Sequence, residues 1–215
     1  MRPQGCEFLI IGAGILGLTI ARELVRRGAK DVVILEKEQT VGQHASGRNS
    51  GVLHAGIYYT PETHKARFCV EGNRRMKDFC RQRNLDLHET GKVIVATHED
   101  ELPRLDELHR RAQASGAQAD LISPDELREI EPYARTVKRA LYTPDTALVD
   151  PQQVLTALRS GLEASGRVAF QMGTRSRTRA MPGVRMAESA SNSASTSPGP
   201  TLIVLPINSA WDRIT

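Results

Sequence analysis

The chain has 215 residues, 40% of them apolar and 4% aromatic, with a formal net charge of +4. That length admits one large domain or two small ones around a real core. A basic nucleic-acid-binding face is excluded by where the charge lies: residues 1–171 hold 24 Lys and Arg against 23 Asp and Glu, while 172–215 hold five Arg against Glu188 and Asp212.

Residues 8–11 (FLII) are continuously apolar and predict a short buried strand. Gly12-x-Gly14-x-x-Gly17 follows at once. Ile15, Leu18, Ala21, Leu24 and Val25 recur at helical spacing, and Gly28 stands where a left-handed cap closes a helix. Residues 32–35 (VVIL) predict a second buried strand, and it ends on Glu36. Strand, glycine turn, helix, strand and acid make a dinucleotide-binding unit. Gly12 permits the tight turn, Gly14 lets the backbone approach a pyrophosphate, and Gly17 lets helix and strand pack closely. The helix N-terminus offers unpaired N–H groups and a partial positive charge to the phosphates. Glu36, 19 residues after Gly17, is placed to accept hydrogen bonds from ribose hydroxyls. Its charge disfavours a ribose 2′-phosphate, which argues against NADP.

The loop over 45–59 is rich in Gly, Ser and Asn and suits a backbone that wraps close to a ligand. Ser46, Arg48, Asn49 and Ser50 supply donors there, and Lys37 adds a cation directly after Glu36. An amphipathic helix is predicted over 62–83. Ala66, Cys69, Val70, Met76, Phe79 and Cys80 form its apolar stripe, which Asn73 interrupts. Lys65, Arg67, Arg74, Arg75, Lys77 and Arg81 read as a solvated face, with membrane-surface contact as a second reading. A strand over 92–96 and a helix over 98–115, capped by Gly116, come next. Ser123-Pro124-Asp125-Glu126 opens a short helix that ends before Pro132. A strand over 138–142, a helix over 151–164 introduced by Asp150-Pro151, and a strand over 167–171 follow. Residues 172–200 lack hydrophobic periodicity and read as disordered. Residues 201–207 read as one more strand.

IGAGILGLTIARELVRRGAKDVVILEKE, followed by SGRNSGVLHAGIYYTPETHKARFCVEGNRRMKDFC, resembles the L-2-hydroxyglutarate dehydrogenase/oxidase family, a branch of the D-amino-acid oxidase-like FAD-dependent oxidoreductases. GKVIVATHEDELPRLDELHRRA, LISPDELREIEPY and TPDTALVDPQQV resemble the same family in the same order. The similarity covers roughly residues 6–171. The resemblance implies an α/β fold: a Rossmann-like FAD-binding domain with a partial α+β substrate domain. Residues 1–84 would be the N-terminal part of the FAD-binding domain, 85–148 the partial substrate domain, and 149–171 the return to the first. It implies FAD as cofactor and hydride transfer from C2–H of a 2-hydroxy acid, giving 2-oxoglutarate. By that likeness Gly12, Gly14, Gly17 and Glu36 hold the ADP half, and Ser46, Arg48, Asn49 and Ser50 lie along the pyrophosphate and ribityl chain. His54 falls beneath the flavin ring, as a group that polarises the substrate hydroxyl or accepts its proton. Tyr58, Tyr59 and Lys65 line the substrate pocket, Lys65 to pair with a carboxylate. The electron acceptor, oxygen or a quinone, is left open.

Family members are about twice this long, residues 172–200 match nothing in them, and the glycine expected soon after Asn208 is missing. The resemblance therefore implies a truncated or frame-disrupted member, with a degraded strand and turn over 201–215, weak FAD retention and little turnover. Two alternatives stand beside it: an amine or amino-acid oxidase of the same group, and a non-catalytic dinucleotide-binding fragment. Cys6, Cys69 and Cys80 show neither metal-ligand nor disulfide spacing and read as reduced thiols. No metal site is expected. Seven residues precede the first strand, leaving no room for a leader. The expected location is cytoplasmic, with peripheral contact at the inner face of a membrane as the second reading.

Overall fold

The computed structural model describes residues 6–175, together with the backbone of the strands Arg185–Met186 and Thr201–Val204. The chain divides into two compact units, Met1–Asn49 with Pro151–Thr215, and Ser50–Asp150.

In the first unit, β1 (Phe8–Ile11), α1 (Ile15–Arg26) and β2 (Val32–Leu35) form in the order that the apolar runs predict. β1 and β2 pair in parallel, Phe8 opposite Val32 and Ile11 opposite Leu35. Parallel strands need helices over their faces, which is why both are apolar throughout and not alternating. The core of this unit is Ile10, Leu18, Ala21, Val32 and Ile34, all fully buried. The second unit has β3 (Val52–Leu53), α2 (His64–Arg83), β4 (Leu87–His88), β5 (Lys92–Val95), α3 (Leu102–Ser115), β6 (Asp120–Ile122), α4 (Pro124–Ile130), β7 (Ala140–Thr143) and β8 (Ala147–Val149). The chain then re-enters the first unit with α5 (Pro151–Ala164) and β9 (Val168–Gln171), which pairs in parallel with β2. Two further parallel strands, β10 (Arg185–Met186) and β11 (Thr201–Val204), complete the sheet order β10-β11-β1-β2-β9. α5 packs on α1 through its buried stripe of Val154, Leu155, Leu158 and Leu162.

The second unit is antiparallel, with one sheet ordered β3-β8-β4 and another ordered β5-β7-β6. Its main core gathers Ala55, Ile57, Ala96, Leu105, Leu108, Ala112 and Leu141. α4 closes a smaller cluster through Leu127, against Ile122 and Ala140. Its start is the predicted one: Ser123 Oγ accepts from Glu126 N, and Glu126 returns a carboxylate to Ser123 N.

The structure differs from the sequence reading in three respects. α2, grouped with the glycine turn in the reading of 1–84, belongs by its contacts to the second unit. The reason is Asn73: its Nδ2 donates to the carbonyls of Leu53 (3.0 Å), His54 (3.2 Å) and Asp145 (2.9 Å), tying the helix to β3 and the β7–β8 turn. Lys77, placed on the solvated face, is buried at 7% exposure, with Glu89 at 3.3 Å and Asp145 at 4.0 Å. The predicted helix over 98–115 becomes a 3-10 turn over Glu99–Glu101 and then α3. Residues 172–200, read as disordered, lie outside the described residues except for 172–175 and β10, and of 201–215 only β11 is described.

Candidate functional site

The glycine turn of the first unit is built as its spacing requires. Gly12 has φ +103°, a left-handed conformation, and a β-carbon there would meet nothing within 4 Å, so the outer side of the turn is open. A β-carbon on Gly17 would lie 1.9 Å from the Gly12 carbonyl oxygen, so only glycine lets α1 start this close to β1. Gly14 faces Ser46, with a hypothetical β-carbon 2.9 Å from Ser46 Oγ.

Glu36 reaches back from the end of β2 to this turn. Its Oε2 accepts from Ala13 N at 2.7 Å and its Oε1 from Glu38 N at 3.0 Å. Ser46 closes the other side, where its Oγ accepts from Ile15 N at 3.0 Å. The expectation of unpaired amides at the start of α1 is therefore corrected for these two: Ala13 N and Ile15 N are held by a carboxylate and a hydroxyl. The physical reason is that exposed helix N-terminal donors seek acceptors, and these side chains are the nearest oxygens.

The 3-10 turn Ala45–Gly47 carrying Ser46 is fixed from α5, whose Gln152 donates to the Gly47 carbonyl at 3.1 Å. Asn49 spends its amide on that turn, donating to the carbonyls of Ala45 (3.1 Å) and Ser46 (2.9 Å). Arg48 is exposed, as is Ser50, the first residue of the second unit. Lys37 is directed to Glu38 and to His44 Nε2, the latter at 2.6 Å, so it joins a small ion cluster beyond Glu36. The structure thus brings Gly12, Gly14, Gly17, Glu36 and Ser46 together, and sets Lys37 to one side.

In the second unit a different group assembles after β3. His54 and Tyr58 meet edge to face, with ring centroids 6.4 Å apart. Lys92 Nζ donates to Tyr58 Oη at 2.9 Å and sits 4.5 Å from the centre of that ring. Lys65 lies over Tyr59 at 4.5 Å. Cys69 Sγ donates to the His54 carbonyl at 3.5 Å, and burial pushes its thiol pKa up. Partial desolvation, followed by the charge of Lys92, holds the His54 imidazole below its ordinary value. An imidazole so held is neutral at pH 7 and can accept a proton. Lys92 was missed in the sequence reading. The signal was a charged residue opening an otherwise apolar strand, but only the β5–β7 pairing shows which neighbours it meets.

Comparison with known proteins places the chain in a family. The family described as DAO, FAD dependent oxidoreductase, matches residues 7–195. The chain belongs to the FAD-dependent oxidoreductases. Among curated members of this kind, it is 38% identical over 162 residues to the mitochondrial L-2-hydroxyglutarate dehydrogenase of Pongo abelii, covering 74% of this chain and 38% of that one. It is 41% identical to the L-2-hydroxyglutarate dehydrogenase of Salmonella houtenae, again over 74% of this chain and 38% of the relative. A solved flavoenzyme, the FAD-bound L-alpha-glycerophosphate oxidase of Mycoplasma pneumoniae, superposes with TM-score 0.72 at 25% identity, over 79% of this chain and 45% of that one. The chain thus spans less than half the length of each of these proteins. FAD is the cofactor of the family, and the open turn flanked by Glu36 and Ser46 fits its ADP half. Among the described residues no helix is long and apolar enough to cross a membrane.

Proposed function

We propose that this flavoenzyme chain oxidises the CH–OH of a 2-hydroxy acid, L-2-hydroxyglutarate, to the 2-oxo acid. The observation that carries the cofactor half of this reading is the Glu36 carboxylate seated on the Ala13 amide at the glycine turn. The neutral His54 beside Tyr58 and Lys92 supports the chemical half.

Gly12 and Gly14 would admit the diphosphate to the turn, the α1 terminus would meet its charge, and Glu36 would take the ribose hydroxyls. Ser46 would exchange the Ile15 amide for a phosphate oxygen, and Arg48, Asn49 and Ser50 would extend the same run. FAD, when bound, supplies the acceptor for the two electrons and the hydrogen that leave C2 as hydride. His54 takes the hydroxyl proton as the C–O bond becomes a carbonyl, so charge and electrons balance. Tyr58 orients the acid.

The test is a visible spectrum of the purified protein with FAD, before and after L-2-hydroxyglutarate. Bleaching of the oxidised flavin band by this acid, and none by amino acids, is the expected result. Bleaching by amino acids alone would replace the reading with a C–N oxidase.

A further inference from the structure

Three lysines in the described residues are matched by acids: Lys37 by Glu38, Lys77 by Glu89 and Asp145, Lys138 by Glu99. The open groove of about 490 Å³ along α2 follows the same pattern, since Lys77 and Arg81 on its wall share Glu89. Lys92 breaks it. Among the described residues it forms no ion pair, although it is half-buried at the start of β5.

Its position is well fixed. Lys92 pairs with Thr143 across β5 and β7, and the buried Thr143 hydroxyl donates to the Lys92 carbonyl at 3.3 Å. Gly91 before it has φ +68° and lies against Tyr142, where a β-carbon would come within 2.6 Å of the ring. The ammonium is aimed by Tyr58, whose own backbone carbonyl is held by Arg111 Nη1 at 3.0 Å. An ammonium has three donors and the phenol accepts one of them, leaving two N–H groups and the phenolic O–H to face an acceptor. A cation fixed in place, with unspent donors and no carboxylate of its own among the described residues, is built to receive one from outside.

We propose that Lys92 is the residue that binds a carboxylate of the substrate, with Tyr58 holding its ammonium in place. The assignment rests on the 2-hydroxy-acid reading above and gives that reading its specificity residue. It moves the carboxylate contact from Lys65, which is exposed on the first turn of α2, to a cation fixed by sheet pairing. His54 lies against the same Tyr58 ring, so an acid held here presents its C2 hydroxyl to the neighbourhood of the imidazole.

Glutarate, a dicarboxylate with no hydroxyl to oxidise, is the probe. In the FAD-supplemented wild-type protein, glutarate should protect Lys92 from reductive methylation and leave Lys138 unprotected, as read by peptide mass spectrometry. Lys92→Met should weaken glutarate binding by about tenfold to a hundredfold, the loss of one charge-assisted contact. Lys92→Arg should restore it to within about threefold, since the charge and donors return, and Lys138→Met should leave it unchanged. Equal labelling of Lys92 with and without glutarate, or wild-type affinity in Lys92→Met, overturns the assignment. Should Lys92→Met lower the unfolding midpoint, the labelling of the wild-type protein decides alone. Flavin bleaching separates the two readings. Bleaching by L-2-hydroxyglutarate with Lys92 unprotected sinks this assignment and leaves the oxidation standing, whereas protection without bleaching does the reverse.

Discussion

Replacing Gly17 by alanine puts the largest local demand on the nucleotide unit. The new β-carbon would lie 1.9 Å from the Gly12 carbonyl oxygen and 3.3 Å from Ile10 Cγ2, where real contacts do not fall under 3.0 Å. The obstacle is backbone oxygen, not the end of a flexible side chain, so α1 must retreat by about 1 Å from a close-packed interface. That interface includes Ile10, Leu18 and Ala21, all at 0% exposure, and loosening it costs about 3 kcal/mol at the upper end of overpacking effects. Alanine regains about 1 kcal/mol of helix propensity. The net loss of about 2 kcal/mol lowers the thermal midpoint by roughly 4–8 °C. Gly72, in the middle of α2, is the control, since a β-carbon there meets nothing within 4 Å. Gly72→Ala should raise the midpoint by roughly 2–4 °C. Calorimetry with and without FAD reads both. FAD at a hundred times its Kd should lift the wild-type midpoint by the equivalent of about 2.7 kcal/mol, and Gly17→Ala should lose most of that lift because the turn is displaced. The reasoning fails if Gly17→Ala melts with the wild type, or if Gly72→Ala falls as far as Gly17→Ala.

Glu36→Gln keeps an oxygen for Ala13 N but sets a second donor against Glu38 N. FAD titration by flavin fluorescence should show about tenfold weaker binding, with the FAD-free midpoint little changed. Asn73→Leu leaves the carbonyls of Leu53, His54 and Asp145 without their shared donor. Urea unfolding should then show a loss of roughly 3 kcal/mol that FAD does not restore. For His54, the lowered value means that the neutral imidazole persists to a pH below its ordinary range, so kcat/KM should rise with pH through an inflection below that of an ordinary histidine. Lys92→Met removes the neighbouring positive charge and should move that inflection to higher pH. A limb that shifts downward instead would contradict the placement of Lys92 beside His54.

The nucleotide unit was legible because its signals are local. FLII and VVIL are apolar without alternation, which only a strand covered on both faces requires, while Gly12 takes a left-handed φ that favours glycine and Gly17 leaves no room for a β-carbon. The caps at Ser123 and Gly116 were readable for the same reason. β3, β4, β6 and β8 are two or three residues long and carry no period of their own, so they exist only through their partners. Asn73 and Lys77 looked like a flaw in an apolar stripe and a member of a wet face. Each is buried because distant carbonyls and carboxylates, including those of residue 145, converge on it.

By itself the sequence determined the turn, the helix behind it and the acid at the end of β2, since each depends on residues within one βαβ span. The tertiary structure alone decided that Glu36 and Ser46 occupy the amides of Ala13 and Ile15, and that Lys92 rather than a helix lysine meets Tyr58. A hydrogen bond across 31 residues, or a strand register that joins residue 92 to 143, leaves no periodic trace in the chain, because what selects it is the packing of the whole unit.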